Sequence, residues 1–289
     1  MKKLTNVYQI DAFTGESFRG NPAGVVYSDE LSKEEMQLIA REFKAPETAF
    51  ISKSEKADFN LRWFTPTVEV KLCGHATVAS IHYLTQMGII KDNSFLTFKT
   101  LSGILNCSTK NGIHTLSIPI PELKVFEGNK EEIIKALNGE KVFTAGKFPF
   151  ILDDGGYLYI QVSSLSDLMS IKPNFRELLD LSAARKGYDA ITLFTTETVE
   201  KDHHAHLRFF APYYGIDEDP VTGSANGPLL LVLRKLGLIE ENTEGKIYRF
   251  EQGDVLGRKG RVNVSYSPAK NELTISGKAV TVFKGELSF

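Results

Sequence analysis

Only two cysteines, Cys73 and Cys107, occur among 289 residues. That is too few for the cross-linked frame of a small secreted domain, and a reducing cytoplasm is the expected setting. Long apolar runs are also missing. The most apolar stretch, Leu229 to Leu233, falls far short of the roughly 20 residues that cross a bilayer. Behind Lys2 and Lys3, the residues Asn6, Gln9 and Asp11 interrupt any signal-like apolar segment, so neither export nor membrane insertion is expected. No block of like charge stands out. Lys plus Arg is 34 against 36 for Asp plus Glu, a net charge of -2, which argues against nucleic acid or an anionic membrane as the main partner. What is present is ordinary for a globular chain, with 42% hydrophobic and 24% charged residues. The length exceeds the usual single core, so two domains are expected.

The N-terminal third reads as strand, loop, strand, helix, strand, helix. Val7 to Phe13 and Gly24 to Tyr27 are strand-like and flank a turn at Gly20, Asn21 and Pro22. Ser32 and Glu35 have capping-box spacing, and Met36, Ile39, Ala40 and Phe43 follow on one helical face, predicting a helix from Ser32 to Phe43. Asn129 to Asn138 and Asn174 to Ala184 read as surface helices with asparagine at the N-cap. Thr115 to Ile120, Tyr157 to Val162, Ala190 to Phe194 and Ala279 to Phe283 read as strands. The order lacks regular βαβ alternation and favours α+β.

An internal repeat is the most informative feature. LRWFTP at 61–66 recurs as LRFFAP at 207–212; after a three-residue insertion, EVKLCGHA at 69–76 lies over EDPVTGSA at 218–225, and LTQMGII at 84–90 over LRKLGLI at 233–239. About ten identities fall in roughly thirty positions where chance gives about two, so duplication is the better account. Each copy reads as a strand ending at Phe-x-Pro, a glycine-bearing loop, and a helix apolar nearly all round. The helices, Ala76 to Met87 and Ala225 to Leu236, are therefore expected inside protein, closed by Gly88 and Gly237, with Pro228 near the second helix's start where its missing N–H is harmless.

Both loops enter their helices at a glycine, Gly74 or Gly223. Helix N-termini expose unpaired N–H groups and suit a carboxylate or phosphate. If a pseudo-twofold relates the halves, both ends can face one cleft and hold an anion with backbone donors, His75, Ser224 and Asn226. His75 is either a ligand donor or a histidine satisfied by backbone. Asp219, before Pro220, either orders its loop as an Asx turn or touches substrate. Glu69 and Glu218 match each other and read as braces. Glu47, beside Pro46, Ala49 and Phe50, would have a raised pKa if buried with them and could then exchange protons near neutral pH.

Together these residues resemble the phenazine-biosynthesis PhzF-like family, which shares its fold with diaminopimelate epimerase and proline racemase. The resemblance rests on QIDAFTGESFRGNPAGVV at 9–26, PETAFI at 46–51, RWFTPTVEVKLCGHAT at 62–77 and EDPVTGSA at 218–225. It implies an α+β chain of two pseudo-symmetric domains with the diaminopimelate epimerase-like fold, each a curved sheet or barrel around a central helix. Residues 1–122 with a C-terminal strand at 278–289 would form the first, and 123–277 the second. It implies no metal and no organic cofactor; a small carboxylate-bearing metabolite is the expected ligand, and a homodimer is a possible assembly. By resemblance, Glu47 is the acid/base glutamate, and His75, Asp219 and Ser224 contact the ligand. Gly74 and Gly223 let backbone approach it, and Asn21, Cys73 and Asn226 complete the candidate contacts. The epimerases use a thiol from each repeat; here Cys73 stands at one such position and Thr222 at the other, which disfavours two-thiol inversion.

The expected function is a cofactor-independent isomerase. Three other readings remain: an amino-acid epimerase- or racemase-type enzyme, a non-catalytic metabolite-binding protein of the same fold, and a metal-dependent hydrolase in which His204 and His206, alternate residues of a strand, share an ion beside His203.

Overall fold

The computed structural model describes residues 3–143, 149–184 and 187–288. Met1 and Phe289, the ends of the first expected domain, lie outside the described residues. In chain order the elements are β1 (Lys3–Ala12), β2 (Asn21–Tyr27), α1 (Lys33–Phe43), β3 (Glu47–Lys53), β4 (Phe59–Phe64), β5 (Glu69–Val70), α2 (Gly74–Gln86), β6 (Ser94–Thr100), β7 (Gly103–Lys110) and β8 (Ile113–Ile118). There follow β9 (Leu123–Val125), α3 (Lys130–Ala136), β10 (Phe150–Asp153), β11 (Tyr157–Gln161), α4 (Leu165–Ser170), α5 (Phe175–Ala183), β12 (Ala190–Thr195), β13 (Ala205–Ala211), a 3₁₀ turn (Pro212–Tyr214) and β14 (Ile216–Asp219). The chain closes with α6 (Gly223–Lys235), β15 (Tyr248–Gln252), β16 (Gly260–Ser267), β17 (Glu272–Gly277) and β18 (Ala279–Ser288). None of the described helices is long and apolar enough to cross a membrane.

Two compact units divide the chain: residues 1–118, 260–262 and 274–289 in the first, and 119–259 with 263–273 in the second. In unit 1, β1 pairs antiparallel with β18 and β2, β2 runs parallel to β3, and β3 pairs antiparallel with β4. β4 then takes β5 antiparallel and β6 parallel, and β6, β7 and β8 continue antiparallel. Unit 2 repeats the scheme. β10 pairs antiparallel with β9 and β11, β11 runs parallel to β12, β12 pairs antiparallel with β13, and β13 takes β14 antiparallel and β15 parallel. The repeat is thus written in strand order and direction as well as in residues.

Local chemistry sets the helix boundaries. Ser32 caps α1: its Oγ accepts the Glu35 N–H at 3.2 Å, and Glu35 Oε2 accepts the Ser32 N–H at 2.8 Å, so both first-turn donors are satisfied. The buried face of α1, Met36, Ile39 and Ala40, packs on Val7, Val26, Phe50 and Phe64. Asn129 and Asn174 cap α3 and α5 as expected. In unit 2, Ile133, Ala136 and Leu178 from those helices join a core with Leu158, Ile160, Leu193 and Phe210.

α2 and α6 start two residues before the expected Ala76 and Ala225. Cys73 and Thr222 are extended N-caps without a side-chain cap bond, so Gly74 and Gly223 take the first helical positions. Glycine contributes nothing to apolar periodicity, which is why the pattern missed that first half-turn. The ends match: Ile89 N–H donates to Leu84 O and Leu238 N–H to Leu233 O, with Gly88 and Gly237 both at φ +67°, a left-handed stop that glycine adopts without strain. Pro228 is not at the start of its helix but at the sixth position of α6. There it cannot donate to the Ser224 carbonyl four residues back. A further difference concerns Asn21 and Pro22, which are not in a turn but open β2, paired with Ala12 and Asp11.

Both units carry the same brace. Arg62 grips Glu69 through Nε at 2.7 Å and an amino group at 2.9 Å, and Arg208 grips Glu218 at 2.8 and 2.9 Å. Each guanidinium also lies over a phenylalanine two residues on, Phe64 at 5.2 Å and Phe210 at 4.9 Å. The Arg62 hydrogen bond holds the Glu69 carboxyl below its usual range. Arg208 is more deeply placed and additionally donates to Leu168 O and Ile171 O. These bidentate pairs fix the short strand that leads into each glycine loop.

Unit 1 also sets a half-buried histidine against a buried one. His82 Nδ1 on α2 lies 3.3 Å from His114 Nε2 on β8, and His114 Nδ1 reaches Thr109 Oγ1 at 3.1 Å. Burial lowers both imidazoles, His114 to about 4. A depressed folded-state pKa means that the unfolded chain binds the proton first. Stability is therefore complete above the unfolded value near 6.5 and is lost as pH falls from there toward 4. His114→Asn should flatten that decline by an amount on the order of 3 kcal/mol, the free energy that corresponds to moving the imidazole from 6.5 to about 4. Urea unfolding of both proteins across pH 4 to 7.5 reads the slope directly.

Candidate active site

Candidate side chains gather in two clusters, one in each unit. In unit 1, Glu47 is the first residue of β3 and His75 the second residue of α2. Glu47 Oε2 lies 3.3 Å from His75 Nε2, and Asn21, at the start of β2, places its amide nitrogen 3.3 Å from His75 Nδ1. An amide nitrogen only donates, so His75 Nδ1 is the acceptor and the imidazole proton sits on Nε2, facing Glu47. Burial pushes His75 down to about 3, so the ring is neutral at physiological pH. Cys73, buried at the N-cap, brings its sulfur to 3.5 Å from His75 Nδ1. Glu47 keeps 14% of its side chain exposed. The carboxylate is therefore held from one side by a neutral N–H donor and remains reachable from the other.

In unit 2, Asp219 ends β14 and accepts the Thr222 hydroxyl through Oδ2. Sequence reasoning missed the residue that organises this loop. Gln252, at the end of β15, accepts the Thr222 N–H at 2.9 Å and the Asn226 amide at 2.8 Å, and donates to Asp219 O at 2.9 Å and Thr222 Oγ1 at 3.2 Å. Asn226 is fully buried and also donates to Thr222 O at 2.9 Å, so its amide ties the loop to the helix from within. Thr77, its counterpart in the repeat, does the same to Cys73 O at 2.6 Å. Gly223 opens α6 and Ser224 follows half-exposed, its Oγ 3.3 Å from the Tyr157 hydroxyl. No short-range signal joins Gln252 or Tyr157 to the EDPVTGSA motif; both arrive through strand pairing.

Strand register shows how the two copies differ. Ala23 on β2 faces Glu47 on β3, and Thr48 faces Phe64 on β4. In unit 2, Tyr157 on β11 faces Ala190 on β12, and Ile191 faces Phe210 on β13. With Phe64 and Phe210 equivalent in the repeat, Glu47 corresponds to Ala190 and Ala23 to Tyr157. By the loop alignment Asp219 corresponds to Val70, and Ser224 to His75. Acid/base groups thus occupy different positions in the two copies.

The expectation that His204 and His206 share a metal is corrected by the geometry. β13 begins at Ala205, so His204 lies before the strand and off its alternation. It instead packs on Tyr248 at 5.0 Å and accepts the Arg249 N–H. His203 and His206 each direct Nδ1 to one oxygen of Glu251, both at 2.8 Å, and Glu251 also accepts the Val199 and Glu200 N–H groups. Among the described residues, two sets place potential metal-ligand atoms within 4.8 Å of one another: Glu47, Cys73 and His75, and Glu200, His203 and Glu251. In the second set the Glu251 carboxylate already accepts four hydrogen bonds, which accounts for its burial without an ion.

Residues 10–285 match the family model of phenazine biosynthesis-like proteins, PhzC-PhzF. The chain belongs to this family. An uncharacterized isomerase of Clostridium acetobutylicum is 40% identical, with 99% of each chain covered. The crystal structure of the PhzF-family protein of Bacillus anthracis superposes with a TM-score of 0.89 at 31% identity over 100% of both chains. A predicted epimerase of Pseudomonas aeruginosa matches at a TM-score of 0.75 and 20% identity over 99% of both, a likeness of fold alone. This PhzF-family chain is α+β, and its two units have the diaminopimelate epimerase-like fold. Its curated relatives are named as uncharacterized isomerases, which places it among isomerase-like proteins.

Replacing Gln252 by leucine should cost at least about 2 kcal/mol, because buried donors on Thr222 and Asn226 lose their acceptor, at about 1–3 kcal/mol for each orphaned group. An unchanged urea midpoint would show that the loop does not depend on this side chain.

Proposed function

We propose that the protein is a cofactor-independent isomerase that moves a proton on a small carboxylate-bearing molecule, with Glu47 as the acid/base group. The observation that carries this reading is the Glu47–His75 contact: a reachable carboxylate, 3.3 Å from a neutral imidazole N–H, with Ala190 at the equivalent register of unit 2. One carboxylate, with alanine at its position in the second copy, suits removal and return of a proton by the same group. Glu47 takes a proton from a carbon made acidic by the substrate's own unsaturation, and the C–H electron pair shifts into the adjacent conjugated system. The protonated carboxyl then delivers the proton to a carbon further along, which conserves atoms and charge. His75 positions Glu47 and, staying neutral, does not compete for the proton. Asp219, Gly223 and Ser224 are assigned to holding the substrate, and Gly74 to backbone contact with it. The chemistry asks nothing of a metal or organic cofactor, since the only transfer is a proton between carboxylate and carbon.

A two-base inversion is the less fitting alternative. Thr222 stands where a second thiol would be needed, and its hydroxyl is already given to Asp219. A non-catalytic binding protein could use the same pairing to hold a ligand, and tight binding of a metabolite without turnover would favour that reading.

Glu47→Gln should keep the fold and lower turnover roughly a hundredfold to ten-thousandfold, the range for removing a general acid or base. Deuterium incorporation from heavy water into a panel of amino and cyclic carboxylic acids provides the assay; a Glu47→Gln protein exchanging at the native rate refutes the assignment.

Cys73→Ser separates the two chemistries. It should leave exchange within a few-fold of native if one carboxylate does the work, whereas thiol-based inversion predicts near-complete loss.

A further inference from the structure

Tyr157 belongs to none of the motifs that define the candidate site, yet the fold brings it there. It opens β11, and its hydroxyl lies 3.3 Å from Ser224 Oγ at the second position of α6. Its ring stands edge-on to Phe209, with centroids 5.0 Å apart and an interplanar angle of 68°. Phe209 is paired in register with Asp219 across β13 and β14. The tyrosine therefore neighbours both Ser224 and the strand position that carries Asp219.

Its placement is built rather than incidental. The Tyr157 N–H donates to Asp153 Oδ1 at 2.7 Å, and Tyr159, on the same face of β11, reaches Asp153 Oδ2 at 3.3 Å and Ala225 O at 3.4 Å. Asp153 is itself buried, and burial raises its carboxyl to about 6. Tyr157 and Ser224 are both half-buried, so a ligand can reach the two hydroxyls that the surrounding core holds in place. In unit 1 the equivalent of Tyr157 is Ala23 and that of Ser224 is His75, so this hydroxyl pair is particular to the second copy.

We propose that Tyr157 is a substrate-binding residue that works with Ser224 as a paired hydroxyl donor for an oxyanion of the substrate. Each hydroxyl rotates about its C–O bond, and an oxygen acceptor brought against both can receive a hydrogen from each. Such donors distinguish a carboxylate from its neutral counterpart, because a hydrogen bond to a charged acceptor is roughly twice as strong as a neutral one. The inference rests on the functional reading above only in taking the substrate to be a carboxylate; it does not require Glu47 to be the base.

The test is a binding measurement with benzoate and benzamide as probes, followed by NMR titration of the intact protein. Tyr157→Phe keeps the ring on Phe209 and removes only the hydroxyl. It should weaken benzoate about tenfold or more, the effect of losing one hydrogen bond to a charged acceptor. Ser224→Ala should do the same, and the double variant should lose less than the product of the two, since both hydroxyls serve one oxygen. Tyr213→Phe, an exposed tyrosine of the 3₁₀ turn, should bind benzoate like the native protein. Native-like benzoate affinity in Tyr157→Phe overturns the proposal, as does a native protein that fails to bind benzoate or binds benzamide equally well. Glu47→Gln should retain benzoate binding. If its turnover proves normal while the Tyr157 result holds, only the acid/base assignment fails.

Discussion

A helix that is apolar on nearly every side must be enclosed, and the enclosure of α2 sets the rest of unit 1. It packs on β1, β2, β3, β8 and β18, and its inward residues have no other place to go. Fully burying one aliphatic side chain is worth about 1.5–3 kcal/mol, and α6 buries Leu229, Leu230, Val232 and Leu233 without residual exposure. Polar groups on such a helix have to satisfy themselves. Thr77, Ser80 and Thr85 each donate to the carbonyl four residues earlier, and Asn226 does so in unit 2. With its sides closed by protein, each central helix carries its candidate site residue in its first turn. That is where His75 and Ser224 stand.

Duplication supplies two copies of this arrangement, and the two carry different side chains at matching positions. The shared parts are mechanical: the Arg–Glu brace, the N-cap without a side-chain bond, the side chain four residues on that ties down the cap carbonyl, and the glycine stop. The chemical parts differ at matching register. Unit 1 has Glu47, Cys73 and His75; unit 2 has Asp219, Thr222, Ser224 and Tyr157, with Ala190 in place of the glutamate. A site needing the same group twice would be expected to retain it in both copies.

The histidines differ in what faces them. His82 and His114 face each other and a threonine hydroxyl, and His75 meets one carboxylate, so desolvation dominates and lowers all three. His203 and His206 are placed differently, each with a Glu251 oxygen at 2.8 Å and a second carboxylate beyond, Glu200 or Asp254. That carboxylate-centred knot ties the segment before β13 to β15, the strand that also presents Gln252 to the second loop. Histidines that suggested a metal in the linear sequence therefore serve, in three dimensions, to join two strands.

Local rules made much of this protein legible from residues alone. The Ser32 capping box, the asparagine caps at Asn129 and Asn174, the glycine stops at Gly88 and Gly237, and the pairing of Glu69 with Glu218 as braces all depend on neighbours a few residues apart or on a repeat visible by alignment. The glycines at the helix starts and Pro228 were harder, because neither contributes to the periodicity that marks a helix. What the sequence by itself determined was the duplicated α+β scheme, its family, and the identity of the loops that carry chemistry. Tertiary structure alone decided that Asn21 orients His75 toward Glu47, that Gln252 organises the Asp219 loop, and that Tyr157 stands beside Ser224. Each of those contacts joins residues tens of positions apart, and only strand register, which no short window of sequence contains, brings them together.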